Sequence, residues 1–194
     1  MNRRAVLAAC AVLIAGCSSG TPQLSAPNTG LKPAAAVAAA AANAKAIPLG
    51  SLVAVDSTSK FTVKSYKLGG NDLGPYLQTT VRGEAAGAAG HLPTDVSIIC
   101  SNSTEEGGYQ ADSTVTLQQA IPGGAFAEGV LNLLIPGDGR YGKPVPHCAT
   151  PAVVVAKASS SAAPVSFAIP DELIGELNAA ADRFNAAHPA STSA

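Results

Sequence analysis

The chain has 194 residues, 12 basic against 13 acidic side chains and a formal charge of −1. With only 13% of residues charged and no basic cluster, the composition excludes a nucleic-acid binder, and the absence of Trp excludes a heavily aromatic recognition surface. The length suits one domain plus a tether.

The N-terminus carries three parts in the order of a secretory signal. Arg3 and Arg4 give a positive start, Ala5 to Ala15 an apolar stretch, and small residues follow. The apolar stretch is about a dozen residues, too short for a spanning helix of about 20. It ends in Leu13-Ile14-Ala15-Gly16-Cys17, which resembles the lipobox of bacterial lipoproteins. Over residues 1 to about 20, that resemblance implies transfer of a diacylglycerol to the Cys17 thiol and removal of residues 1–16. It also implies attachment, through the lipid on Cys17, to the extracytoplasmic face of the cell membrane. The removed segment holds two arginines and no acids, so 10 basic against 13 acidic side chains remain and the charge becomes −3. Gly16-Cys17-Ser18-Ser19-Gly20 also matches a hydrolase nucleophile elbow, but cleavage would fall inside it, and no strand and helix flank it.

Residues 17–47 are rich in Ser, Thr, Pro, Gly and Ala and read as a disordered linker, about 30 Å in typical reach. Ala34 to Ala46 has helical propensity without an amphipathic stripe. From Leu49 the pattern changes to short β-branched and aromatic segments between Gly, Pro and Ser turns. The predicted strands are Ser51 to Val55, Lys60 to Leu68, Tyr76 to Arg82, Asp95 to Cys100, Ser113 to Ala120, Val130 to Ile135, Ala152 to Ala156 and Val165 to Ile169. In the fourth, Val96, Ile98 and Cys100 alternate with Ser97 and Ile99; in the fifth, Val115 and Leu117 face one way. Val130 to Ile135 is apolar on both faces, as a central strand would be. A Gly/Ala loop follows Arg82, Ser101 to Gly108 reads as a turn, and "AIPGGAFAEG" reads as another. Gly137-Asp138-Gly139-Arg140-Tyr141-Gly142 matches G-x-G-x-x-G, but Lys143-Pro144-Val145-Pro146 forbids the helix a dinucleotide site needs, leaving a glycine turn. Residues 171–188 form an amphipathic helix that Asp171 can cap after Pro170, with Leu173, Ile174, Leu177, Ala181 and Phe184 on one face for docking. Residues 189–194 are a frayed tail.

The expected fold is all-β: an antiparallel sandwich over residues 48–170 with the C-terminal helix added. The order "FTVKSY", "PYLQTTVRG", "TDVSIIC", "AIPGGAFAEGVLNLLIP", "VSFAIP" is similar to the immunoglobulin-like domains of secreted actinobacterial proteins, including small mycobacterial antigens. That resemblance, over about residues 49–170, implies an immunoglobulin-like sandwich in the cell envelope and no established reaction. The cysteine pair, the missing tryptophan near the last strand and the terminal helix depart from it.

Once Cys10 leaves with the signal and Cys17 is acylated, Cys100 and Cys148 remain for one disulfide in an oxidising compartment. Closing that loop contributes about 4 kcal/mol in the chain-entropy model. The pair lacks the C-x-x-C spacing of a redox site and the four ligands of a zinc site. His91, His147 and His188 fall in loops or near the end, the acids are scattered, and Gly-Asp-Gly at 137–139 lacks the oxygens of a calcium loop. Asn102-Ser103-Thr104 is a chance glycosylation sequon. Neither catalytic residues nor a cofactor are expected. The expected function is a membrane-anchored interaction module for an envelope or host protein, with carriage of an apolar ligand such as a lipid as the alternative; the two differ by whether a cavity exists.

Overall fold

The computed structural model describes residues 47–103, 107–108, 113–136, 144–159 and 161–189. The lipobox with Cys17, residues 17–46, the 137–142 turn and the last five residues lie outside them. Among the described residues, nine strands precede one helix: β1 (Val53–Ala54), β2 (Ser59–Asn71), β3 (Gly74–Ala85), β4 (Ala89–His91), β5 (Asp95–Cys100), β6 (Ala120–Pro122), β7 (Phe126–Leu134), β8 (Ala152–Lys157), β9 (Val165–Ile169) and α1 (Asp171–Ala187). One sheet has the order β1-β2-β3-β7 and a second the order β5-β8-β9, while β4 pairs with β6; every pairing is antiparallel.

The period-two alternation decides which side chains meet. Phe61 and Val63 of β2, Leu77 and Val81 of β3, and Leu131 and Leu133 of β7 share one core with Val96, Ile98 and Cys100 of β5, Val154 of β8 and Phe167 of β9. Phe61 and Phe167 meet edge to face, centroids 5.9 Å apart, so the two sheets pack face to face. The expected antiparallel β architecture with a C-terminal helix is therefore what folds. β5 and β9 span the predicted residues, and β8 runs one residue further. β2 and β3 lengthen into a hairpin in which Asn71 faces Gly74, and Asn71 Oδ1 accepts the Leu73 N–H at 2.9 Å.

Several expectations are corrected. Ser51 to Val55 contracts to a two-residue strand. Ser113 to Ala120 makes no ladder until Ala120. Instead, Thr114 Oγ1 accepts the Val130 N–H at 2.7 Å, and Ser113 Oγ accepts the Asn132 N–H at 2.9 Å. Hydroxyls thus take the place of strand carbonyls, while Val115 and Leu117 still pack on the core. β7 is not central: it closes one side of its sheet, and its free edge is satisfied by Ser113, Thr114 and the Gly108 carbonyl. Gly107 is required there, because a Cβ would strike the Leu134 carbonyl. "AIPGGAFAEG" is β6, a tight turn and the start of β7, with Gly124 at φ +72°. The Gly/Ala loop after β3 contains β4, a strand with no β-branched residue to announce it.

The helix begins as Pro170 fixes the entry, and no side chain caps it. Asp171, expected as the cap, sits instead in the first turn with Glu172, where negative charge favours the helix dipole. Ile174, Leu177 and Ala181 are buried in the core, flanked by half-buried Leu173 and Phe184, so the expected stripe docks on the sheets. Cys100 and Cys148 form the disulfide, Cα atoms 5.2 Å apart, joining the end of β5 to the extended segment 144–149. Asparagine side chains hold that segment. Asn178 Oδ1 accepts the Cys148 N–H at 2.8 Å while its amide donates to the Cys148 carbonyl at 2.9 Å. Asn185 makes the same pair with Val145 at 2.8 and 2.9 Å. Asn102 donates to the His147 carbonyl at 3.1 Å and accepts the Ala149 N–H at 2.9 Å.

Asn178→Ala leaves the two main-chain polar groups of the buried Cys148 without partners and is expected to lower the unfolding free energy by about 2 kcal/mol. Urea denaturation at neutral pH measures it. A loss below the resolution of the titration would show that the clamp carries no stability.

Candidate interaction surface

The three histidines named from the sequence occupy separate places. His91 is on β4, its Nδ1 donating to the Leu92 carbonyl at 2.8 Å and its Nε2 3.2 Å from Asp56 Oδ2. His147 lies on the disulfide segment with Nε2 2.7 Å from Asp182 Oδ1 of α1. His188 ends the helix, stacked on Phe184 with centroids 4.3 Å apart and its Nδ1 donating to the Phe184 carbonyl at 3.0 Å. Each is engaged in a local structural contact. No group of three or more His, Cys, Asp and Glu among the described residues is arranged to hold a metal ion. The amide of Asn102, in the sequon, is committed to the disulfide segment.

Asp56 organises the turn between β1 and β2. Its Oδ1 accepts the Thr58 N–H at 2.6 Å, the Thr58 hydroxyl at 2.8 Å and the Ser59 N–H at 2.7 Å. Burial pushes its carboxyl up, but the Thr58 and Ser59 donors and the nearby His91 outweigh that and hold it below the ordinary 3.8.

The outer face of the β1-β2-β3-β7 sheet has a different character. Register places Thr62 opposite Arg82, Arg82 opposite Glu128, and Glu84 opposite Phe126. Arg82, Glu84, Phe126 and Glu128, with Lys60 and Lys64 of β2, share the outer face, while Thr62 on the same side is buried. Arg82 donates from Nε to Glu84 Oε1 at 2.8 Å and lies 3.8 Å from Glu128 Oε2, whose other oxygen takes Lys64 Nζ at 2.8 Å. The Arg82 guanidinium carbon sits 3.9 Å from the Phe126 ring centroid. Phe126 is 56% exposed, the most exposed large apolar residue described. It stands beside a hollow lined by Leu52, Thr62, Lys64, Arg82 and Glu84, and it lines another with Thr114, Gln119 and Glu128. Each surface ion pair is worth at most about 1 kcal/mol; together, they fix the guanidinium under the ring. Lys60 stands opposite Glu84 on this same face, so the strands bring three cations and two anions together there.

Sequence reading missed this face because it assigned Phe126 to a turn. The available signal was the alternation Phe126, Glu128, Val130 after Gly-Gly, which places an aromatic on the same side as a glutamate. Comparison with known families, curated proteins and solved structures finds no significant match to the chain.

Because the Asp56 carboxyl is held below its unfolded value, its stabilisation is present at neutral pH and is lost as the pH falls below 3.8 through the folded value. Asp56→Ala is therefore expected to cost about 1–2 kcal/mol at pH 7 and to flatten the acid limb of a stability-against-pH curve. An unchanged acid limb would remove Asp56 from that role.

Proposed function

We propose that this protein is a lipid-anchored envelope lipoprotein. An immunoglobulin-like sandwich, tethered through acylated Cys17 to the extracytoplasmic face of the membrane, presents the Phe126–Arg82 face to an envelope or host protein. The exposed Phe126, held over Arg82 between two hollows of the sheet face, carries this reading. Aromatic residues and arginine are enriched in the cores of protein interfaces, and an already ordered guanidinium loses little entropy on binding. Phe61, Leu77, Ile98, Leu131, Leu133 and Phe167 are fully buried between the sheets, which supports an interaction module over a carrier with an internal ligand cavity. The lipobox residues support the anchor. The face-to-face antiparallel sheets and the strand order in sequence support the immunoglobulin-like assignment.

Cys17→Ser is expected to abolish incorporation of a labelled fatty acid and to move the protein from the membrane to the soluble fraction. Continued labelling would overturn the anchor. A photo-crosslinking side chain at Leu52 should capture one protein from intact cells, and Phe126→Ala should reduce that capture at least tenfold while changing folding stability by no more than about 1 kcal/mol. Capture unaffected by Phe126→Ala, or a reproducible lipid mass on the purified domain in native mass spectrometry, would overturn the interaction reading.

A further inference from the structure

Asp95 opens β5 and Lys157 closes β8, and the register sets them directly opposite each other. Lys157 Nζ lies 3.4 Å from Asp95 Oδ2, and the lysine side chain is only 13% exposed, against 43% for Lys64 on the other sheet. The pair lines a surface hollow together with Thr94, Gln118 and Ser159. The walls of this hollow are tied to one another. The Thr94 N–H and hydroxyl both donate to the Lys157 carbonyl, at 2.9 and 3.2 Å. The Gln118 N–H donates to the Pro93 carbonyl at 3.1 Å, and the Leu92 N–H donates to the Gln119 carbonyl at 2.9 Å. A hollow braced in this way is already formed before anything enters it, which lowers the entropy lost on binding.

Gln118 is the third residue of the turn Thr116–Gln119, which the Gln119 N–H closes on the Thr116 carbonyl at 3.1 Å. Its φ is +62°, and among the described residues it alone combines a side chain with a positive φ. Glycine takes that conformation without cost, and glutamine does not. The turn by itself would be better served by glycine. Strain kept at a side chain that lines a hollow therefore points to a use for that side chain.

The chemistry of the lining selects the ligand class. One cation and one anion cancel, so neither an anionic nor a cationic ligand is favoured. The ammonium only donates, the carboxylate only accepts, and the Gln118 amide and Ser159 hydroxyl do both. Adjacent hydroxyls of a sugar ring match this pair, one donating to Asp95 while the next accepts from Lys157. The two ions need not separate for that, whereas an amino-acid zwitterion would have to part them. We propose that this hollow binds a neutral saccharide, held by two adjacent hydroxyls on Asp95 and Lys157 and by a third group on Gln118. No aromatic ring stands among the described lining residues for the sugar to stack on, so the dissociation constant is about 1 mM. The site shares no residue with the Phe126 face and stands or falls independently of it.

The test uses the chain with Cys17→Ser, so that no detergent is needed. Amide chemical shifts are followed while glucose, galactose, mannose and N-acetylglucosamine are each raised to tens of millimolar. Saturable shifts at Thr94, Asp95, Gln118 and Lys157 are expected with at least one of these sugars, with Phe126 and Glu128 unmoved. Gln118→Gly should weaken binding of that sugar about fivefold, the worth of one hydrogen bond. The same variant should leave the melting temperature unchanged or higher, because glycine relieves the turn. No saturable shift with any of the four sugars, or an unchanged affinity in Gln118→Gly, overturns the proposal. Saturable shifts with glycine and with none of the sugars overturn it in favour of a zwitterion.

Discussion

The arrangement depends on how the main chain of residues 145–149 is satisfied. This segment carries Cys148 and runs extended between the β5 end and the helix, with no strand partner. Its peptide groups must still be paired where they are buried, since an orphaned one costs about 1–3 kcal/mol. Asn178 and Asn185 supply the pairing from one helix face. Seven residues of helix rise about 10 Å, and three residues of extended chain advance about 10 Å. Two asparagines two turns apart therefore match Cys148 and Val145. Asn102, from the turn after β5, takes the groups between and beyond.

The disulfide and the asparagines act on the same few residues. The covalent bond fixes one point of the segment to β5, and the amides fix its direction along the helix. The helix, held this way, places Ile174, Leu177 and Ala181 into the core. Cysteine pairing, helix docking and core closure are thus one constraint seen from three sides.

Rigid support at this end leaves the solvent face of the four-stranded sheet free to carry chemistry that stability does not need. Lys64, Arg82, Glu84 and Glu128 brace one another, and their order holds an exposed phenylalanine in place. The opposite sheet shows the reverse economy: its outer strip is apolar and shielded. The two outer faces therefore differ in kind, one polar, braced and exposed, the other apolar and buried.

Much of this was legible in the sequence. β-branched runs located β5, β8 and β9, and the alternation within β5 separated Val96, Ile98 and Cys100 from Ser97 and Ile99, because a period of two puts them on opposite faces. The 3.6-residue stripe located the helix and its buried face. The cysteine count, with Cys10 and Cys17 set aside on the expected signal and lipobox, left Cys100 and Cys148 as the pair that the disulfide joins. Other features depended on partners distant in the chain, which local pattern does not encode. Ala89–His91 became a strand because Ala120–Pro122 lies beside it. Ser113 and Thr114 did not complete a strand because their hydroxyls, not their carbonyls, reach β7. β7 could be apolar on both sides at a sheet edge because irregular segments cover that edge. Phe126 became a surface feature only when pairing with Glu84 turned it outward. By itself the sequence determined elements and their buried sides, since these follow from periodicity. Only the tertiary structure decided edges, clamps and the exposed aromatic, since these depend on which remote hydrogen-bonding groups meet.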